Sequence, residues 1–128
     1  MNATLFVANL VLVVVMLLGT IWAGVRNRRE AHLGLALTTV LLLALAIVQA
    51  EMFGRGFAFP EVPLLVHLVA AFSALVSLPG VVWSGLCLWK KQDARYLHVR
   101  WVALFVFLTV ASVGTAVWMF LGAVPVVS

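Results

Sequence analysis

Charge is scarce in this sequence. Eight Lys or Arg and four Asp or Glu serve 128 residues, 9% of the chain. The acids are fewest, and Glu30, Glu51, Glu61 and Asp93 all lie at the rims of the apolar runs rather than midway along them. An ion or proton path across a membrane wants an ionisable group midway, so transport finds no support. The inverted repeats and broken helices of transporters are missing as well. Cysteine occurs once, as Cys87, which excludes an internal disulfide and any Cys-x-x-Cys redox or zinc motif. There is no Gly-rich phosphate loop, no nucleophile elbow and no His-Glu-x-x-His pair. The chain therefore reads as non-enzymatic. Its apolar runs are joined by only about six to eight residues, which leaves no room for an inserted soluble domain. A net charge of +4 does not point to nucleic acid, because no basic groove or aromatic platform accompanies it.

What the chain has is apolar length. Hydrophobic residues make up 66%, and mean hydropathy is +1.22. Four runs, Leu5–Val25, His32–Phe53, Val62–Trp89 and Leu97–Leu121, account for most of it. At ~1.5 Å rise per residue, about 20 residues cover the ~30 Å of a hydrocarbon core. The expected fold class is all-α, an integral membrane four-helix bundle running up-down-up-down. Residues 1–128 form a single transmembrane domain, with helices at about 4–25, 32–53, 62–89 and 97–121. Arg26, Arg28 and Arg29 follow the first run, and Lys90, Lys91, Arg95 and Arg100 follow the third, whereas Arg55 stands alone on the other side. The positive-inside rule then puts both termini outside the cytoplasm, and the basic turns meet anionic head groups. The first run has no basic segment before it, so it reads as an uncleaved span rather than a signal peptide.

Local signals refine this layout. Gly54-Arg55-Gly56 breaks the second helix, and Phe57, Phe59 and Pro60 suit an interfacial loop. Pro63 fits the first turn of the third helix. Pro79, deep in the same helix, predicts a kink and a freed carbonyl at Leu75 that a serine or water satisfies. Trp83, Trp89, Trp101 and Trp118 read as interfacial belts. Ala70, Ser73, Ser77, Gly80 and Ser84 form a small face on the third helix, matched by Ala111, Gly114 and Thr115 on the fourth. Such faces serve close helix packing.

The candidate chemistry lies in histidine and methionine. His32 and His98 open the second and fourth helices at one depth, beside basic residues and helix N-termini that disfavour imidazolium. Neutral imidazole is the metal-ligating form, so the pair is a candidate for a metal or haem iron. The plainer reading, bonds to backbone or head groups, stays open. His67 lies one turn inside the outer end of the third helix, at lipid depth, where an ionisable residue is a functional candidate. With Met52 and Met119, and with Glu51, Arg55 and Glu61 nearby, it forms an outer cluster whose thioether and imidazole donors suit cuprous copper. Glu51 with Arg55 reads more simply as an interfacial ion pair. Asn9 reads as a bond across helices. His32 and His98 are expected to meet at the inner end, with His67 ~20 Å or more away, so that no single ion takes all three.

These residues also carry a likeness. Glu30-Ala31-His32, His67-Leu68-Val69-Ala70, Leu97-His98-Val99-Arg100 and the stretch from Thr109 through Gly114 to Trp118 together resemble a family of small bacterial membrane proteins, domain-of-unknown-function family 420. The resemblance spans about residues 20–122. It places the family's recurring histidines on His32, His67 and His98, and its fourth-helix glycine on Gly114. Leu97 and Val99 stand where Lys and Arg are common in the family, and Trp118 where tyrosine is common. Some members are implicated in assembling haem-copper cytochrome c oxidase. The resemblance therefore implies an assembly or accessory factor in a bacterial inner membrane, with a membrane protein complex as partner. The cofactor stays open between haem and copper. A small electron-transfer cytochrome subunit and a purely structural subunit are the alternatives.

Overall fold

The computed structural model describes residues 2–90 and 93–127, so Lys91 lies outside the described residues. It contains helices α1 (Ala3–Val25), α2 (Arg29–Gly54), α3 (Glu61–Trp89) and α4 (Arg95–Leu121). All four are long and apolar enough to cross a membrane. The fold is all-α, and the chain is a multi-pass membrane protein. Two-residue strands β1 (Phe57–Ala58), at the head of α3, and β2 (Val124–Pro125), beyond α4, pair as a minimal ribbon. No hydropathy pattern announces them.

The sequence makes helices here despite its valines. A β-branched run such as Val13-Val14-Val15 weakens a helix in water. In lipid the backbone has no other partner than itself, and the helix is enforced. The Asn2 side chain caps α1 by accepting the Thr4 N–H at 2.9 Å. The other end of α1 closes with Asn27 in the left-handed region, φ 56°. There the Asn27 N–H reaches the Gly24 carbonyl (3.1 Å) and the Arg28 N–H reaches the Ala23 carbonyl (2.9 Å). This paired closure is the Schellman motif, and asparagine tolerates its left-handed residue. Glu30 and Glu61 fall in the first turns of α2 and α3, where they complement the helix dipole.

The chain divides into two compact units, one ending at Phe57 and one beginning at Ala58. Each is a helical hairpin. In the first, Asn9 on α1 donates to the Leu42 carbonyl (3.3 Å) and to Gln49 Oε1 (2.8 Å) on α2, and Thr20 meets Thr39 at 3.2 Å. Early residues of α1 thus face late residues of α2, so the pair is antiparallel. Asn9 bonds across helices, as its place on an apolar face implies. Phe53 stacks on Phe6 (5.6 Å) and tilts onto Phe57 (5.3 Å) at the open end. In the second hairpin, His67 faces Ser112 and Thr115, and Ser84 faces His98. Phe59 packs edge-on against Phe120 at 5.1 Å.

The core is inverted relative to a soluble protein. Its buried residues are mostly small or polar: Asn9, Thr20, Ala23, Thr39, Ala46, Ala74, Ser77 and Ser84. Leu18, Leu37, Leu41, Leu65, Val76 and Phe107 are 61% to 75% exposed. Small interfaces let backbones approach where lipid removes any hydrophobic drive between helices. Gly80 does this most closely, since a Cβ there would overlap the Trp101 indole of α4. Gly114, on the matching small face, has nothing within 4 Å of a Cβ position. α3 stays helical through Pro79. The nearby hydroxyl of Ser77 donates to the Ala74 carbonyl (2.7 Å), one residue before the Leu75 carbonyl that proline frees.

Candidate functional site

Each histidine sits on a helix whose start differs from the hydropathy boundary. α2 begins at Arg29 and α4 at Arg95, earlier than the apolar runs suggest. His32 and His98 are therefore each the fourth residue of a helix. Their N–H groups bond the Arg28 and Ala94 carbonyls, both at 2.8 Å. Their rings are half-buried against the preceding helix.

The His32 ring crosses to α1. Its Nδ1 lies 2.7 Å from the Thr20 carbonyl oxygen. A carbonyl only accepts, so Nδ1 carries the hydrogen. Gly24 makes room beneath the ring, because a Cβ there would lie 3.1 Å from both Nδ1 and Cε1. The Thr20 hydroxyl turns away to the Met16 carbonyl at 2.7 Å.

The second hairpin repeats this arrangement with a hydroxyl inserted. His98 Nδ1 lies 3.0 Å from Ser84 Oγ. Ser84 is fully buried, and its hydroxyl donates to the Gly80 carbonyl at 2.7 Å. With its only hydrogen so committed, the oxygen accepts from Nδ1–H. Gly85 supplies the space, since a Cβ there would lie 3.2 Å from Cε1.

His67 reaches α4 in the same sense. Its Nδ1 donates to the Ser112 carbonyl at 3.0 Å and lies 3.4 Å from Thr115 Oγ1. The Thr115 hydroxyl itself is directed at the Ala111 and Ser112 carbonyls, at 2.9 and 3.0 Å. Among the described residues no buried side-chain nitrogen or oxygen lacks a partner. Among the described residues the Nε2 of His67 has no hydrogen-bond partner, so it is not sealed inside the hairpin.

All three rings are thus Nδ1–H tautomers when neutral, with the lone pair on Nε2. Metal-bound histidines are commonly held this way, one nitrogen donating to a carbonyl while the other ligates. His67 and His98 stand far apart, because His98 bonds Ser84, which lies 17 positions along α3 from His67. That is on the order of 25 Å of helix, too far for one ion.

The remaining candidates are divided between the two hairpins. Met52 is exposed on α2 of the first hairpin, and Met119 is buried in α4 of the second, one turn beyond Thr115. Glu51 is paired with Arg55 at 2.7 Å, with both side chains at least two-thirds exposed (68% and 74%). That is an ordinary surface ion pair, worth about 0–1 kcal/mol. Glu61 serves the first turn of α3. Among the described residues no three His, Cys, Asp or Glu gather as a metal site. Each histidine offers a single imidazole donor. A bare ion commonly takes three or four protein ligands.

Sequence reasoning located the histidines but not their anchors. The backbone carbonyls of Thr20 and Ser112 leave no trace in residue identity. Gly24 and Gly85 do leave one, as glycines near the end of the helix before each histidine. No family model matches the chain, and neither a curated protein nor a solved structure matches it.

Proposed function

We propose that this protein is a non-enzymatic accessory or assembly factor for a respiratory haem-copper complex, and that its histidines hold haem or copper in transit. One observation carries the reading. Three imidazoles, on three different helices, all bind the neighbouring helix through Nδ1. A ring held through one nitrogen can offer the other to iron or copper, as metal-bound histidines commonly do. His67 is the leading ligand, because its Nε2 is open and it lies within a membrane-spanning helix. The resemblance to family 420 supports the same reading. On this view a lone imidazole holds its cargo weakly, and the partner's more complete site takes it by ligand exchange. The working location is a bacterial inner membrane with both termini outside.

Haem titration of the detergent-purified chain tests this. Wild type is expected to give a shifted Soret band that saturates, and His67→Ala is expected to lose it while keeping the melting temperature within a few degrees. An identical titration for the variant would overturn the role of His67. A cytochrome-like electron-transfer subunit is the second reading, favoured by the same axial-type donor set. It predicts that haem stays at full stoichiometry through purification, where a transit factor releases it.

A further inference from the structure

The turn between α1 and α2 collects positive charge that no carboxylate among the described residues answers. Arg26 and Arg28 both lie against the Trp22 indole, with Cζ 6.0 and 5.2 Å from the ring centre. Arg29 follows as the first residue of α2. Among the described residues, none of the three has a carboxylate partner, and the ion pair of this hairpin is Glu51–Arg55 at the far end of α2. Two guanidiniums gathered on one ring repel each other unless an anion joins them. The backbone between them is fixed by the closure at Asn27, so they cannot simply drift apart with the turn.

The surroundings identify the anion. Trp22 is 51% exposed at the end of a span, the level at which indoles meet head groups. Below it, Leu18, Val15 and Val11 recur at helical spacing and are 61%, 57% and 58% exposed. They form an apolar strip on α1, away from the buried residues Asn9, Val13, Thr20 and Ala23 that mark its inner face. An oxyanion at the top and a hydrocarbon chain below describe one molecule.

We propose that Trp22, Arg26 and Arg28 form a binding site for the phosphate of an anionic phospholipid, whose acyl chain lies along Leu18, Val15 and Val11. Guanidinium forks match phosphate oxygens in paired hydrogen bonds. The same charges repel the ammonium of a zwitterionic head group, so the site selects for net negative lipid. This does not depend on what the histidines carry.

Native mass spectrometry of the full chain, offered equal phosphatidylglycerol and phosphatidylcholine, reads the selectivity. Each arginine at an anionic surface is worth about fivefold in affinity. Arg26→Gln with Arg28→Gln is therefore expected to lower the preference for phosphatidylglycerol about twenty-five-fold. Lys90→Gln with Arg100→Gln, which removes the same charge from the other basic turn, is expected to leave it within about twofold. Inorganic phosphate, added at constant ionic strength, is expected to displace no lipid. Equal losses in the two double variants would reduce the effect to general surface charge and overturn the proposal. So would an undiminished preference in the Arg26 and Arg28 variant, an unchanged Trp22→Leu, or displacement by inorganic phosphate, which would mark a site for a soluble anion.

Discussion

Three different acceptors turn the three imidazoles the same way: the Thr20 carbonyl, the Ser84 hydroxyl and the Ser112 carbonyl. The residues that do this are small, and smallness decides much else here. A single carbon tells close contacts from open ones. At Gly80 an added methyl group would strike the Trp101 indole, which is rigid and fixed to α4. Gly80→Ala is therefore expected to destabilise the second hairpin by about 1–3 kcal/mol, the usual penalty for overpacking. Gly114→Ala meets nothing within 4 Å and is expected to be neutral or slightly stabilising. Thermal unfolding of both variants in one detergent checks the contrast. The sequence marked both glycines as packing positions, because composition alone does not say which side of a helix faces a neighbour. It likewise found the histidines by chemical type, while their tautomers depend on a second helix that local pattern does not contain.

Helices were legible as apolar runs, and their ends were not. Hydropathy marks where the hydrocarbon stops. Backbone hydrogen bonding continues past that point into Arg29-Glu30 and Arg95-Tyr96, which are helical although polar. As a result His32 and His98 sit a full turn inside their helices, close enough to the preceding helix to bond it. The turn at Asn27 is the element most sensitive to substitution. Its φ of 56° is tolerated by asparagine and glycine and resisted by β-branched side chains. Asn27→Val is expected to cost about 1–2 kcal/mol. Asn27→Gly is expected to change stability little. Because Arg26 and Arg28 flank this residue, the valine variant should also weaken phosphatidylglycerol retention. Melting and lipid binding measured together on the two variants would show whether the pair moves in step.

On the scale of the molecule, four spans were readable from length and apolar content, and they are the four helices found. For orientation, the Lys and Arg asymmetry predicts that the loop around Gly56 lies outside the cytoplasm. A Gly56→Cys variant in a Cys87→Ala background should react with an impermeant maleimide in intact cells. Labelling only after the membrane is opened would reverse the orientation. The two short strands escaped the sequence because two residues of pairing carry no periodicity. The inverted core has a calorimetric consequence. Large apolar side chains face outward before and after two helices part, so separation within lipid exposes little new hydrocarbon to water. The heat-capacity increment of unfolding, which in soluble domains grows with newly hydrated apolar area, should then be close to zero. The free energy of each hairpin would vary almost linearly with temperature, without the dome that gives soluble proteins a second, cold transition.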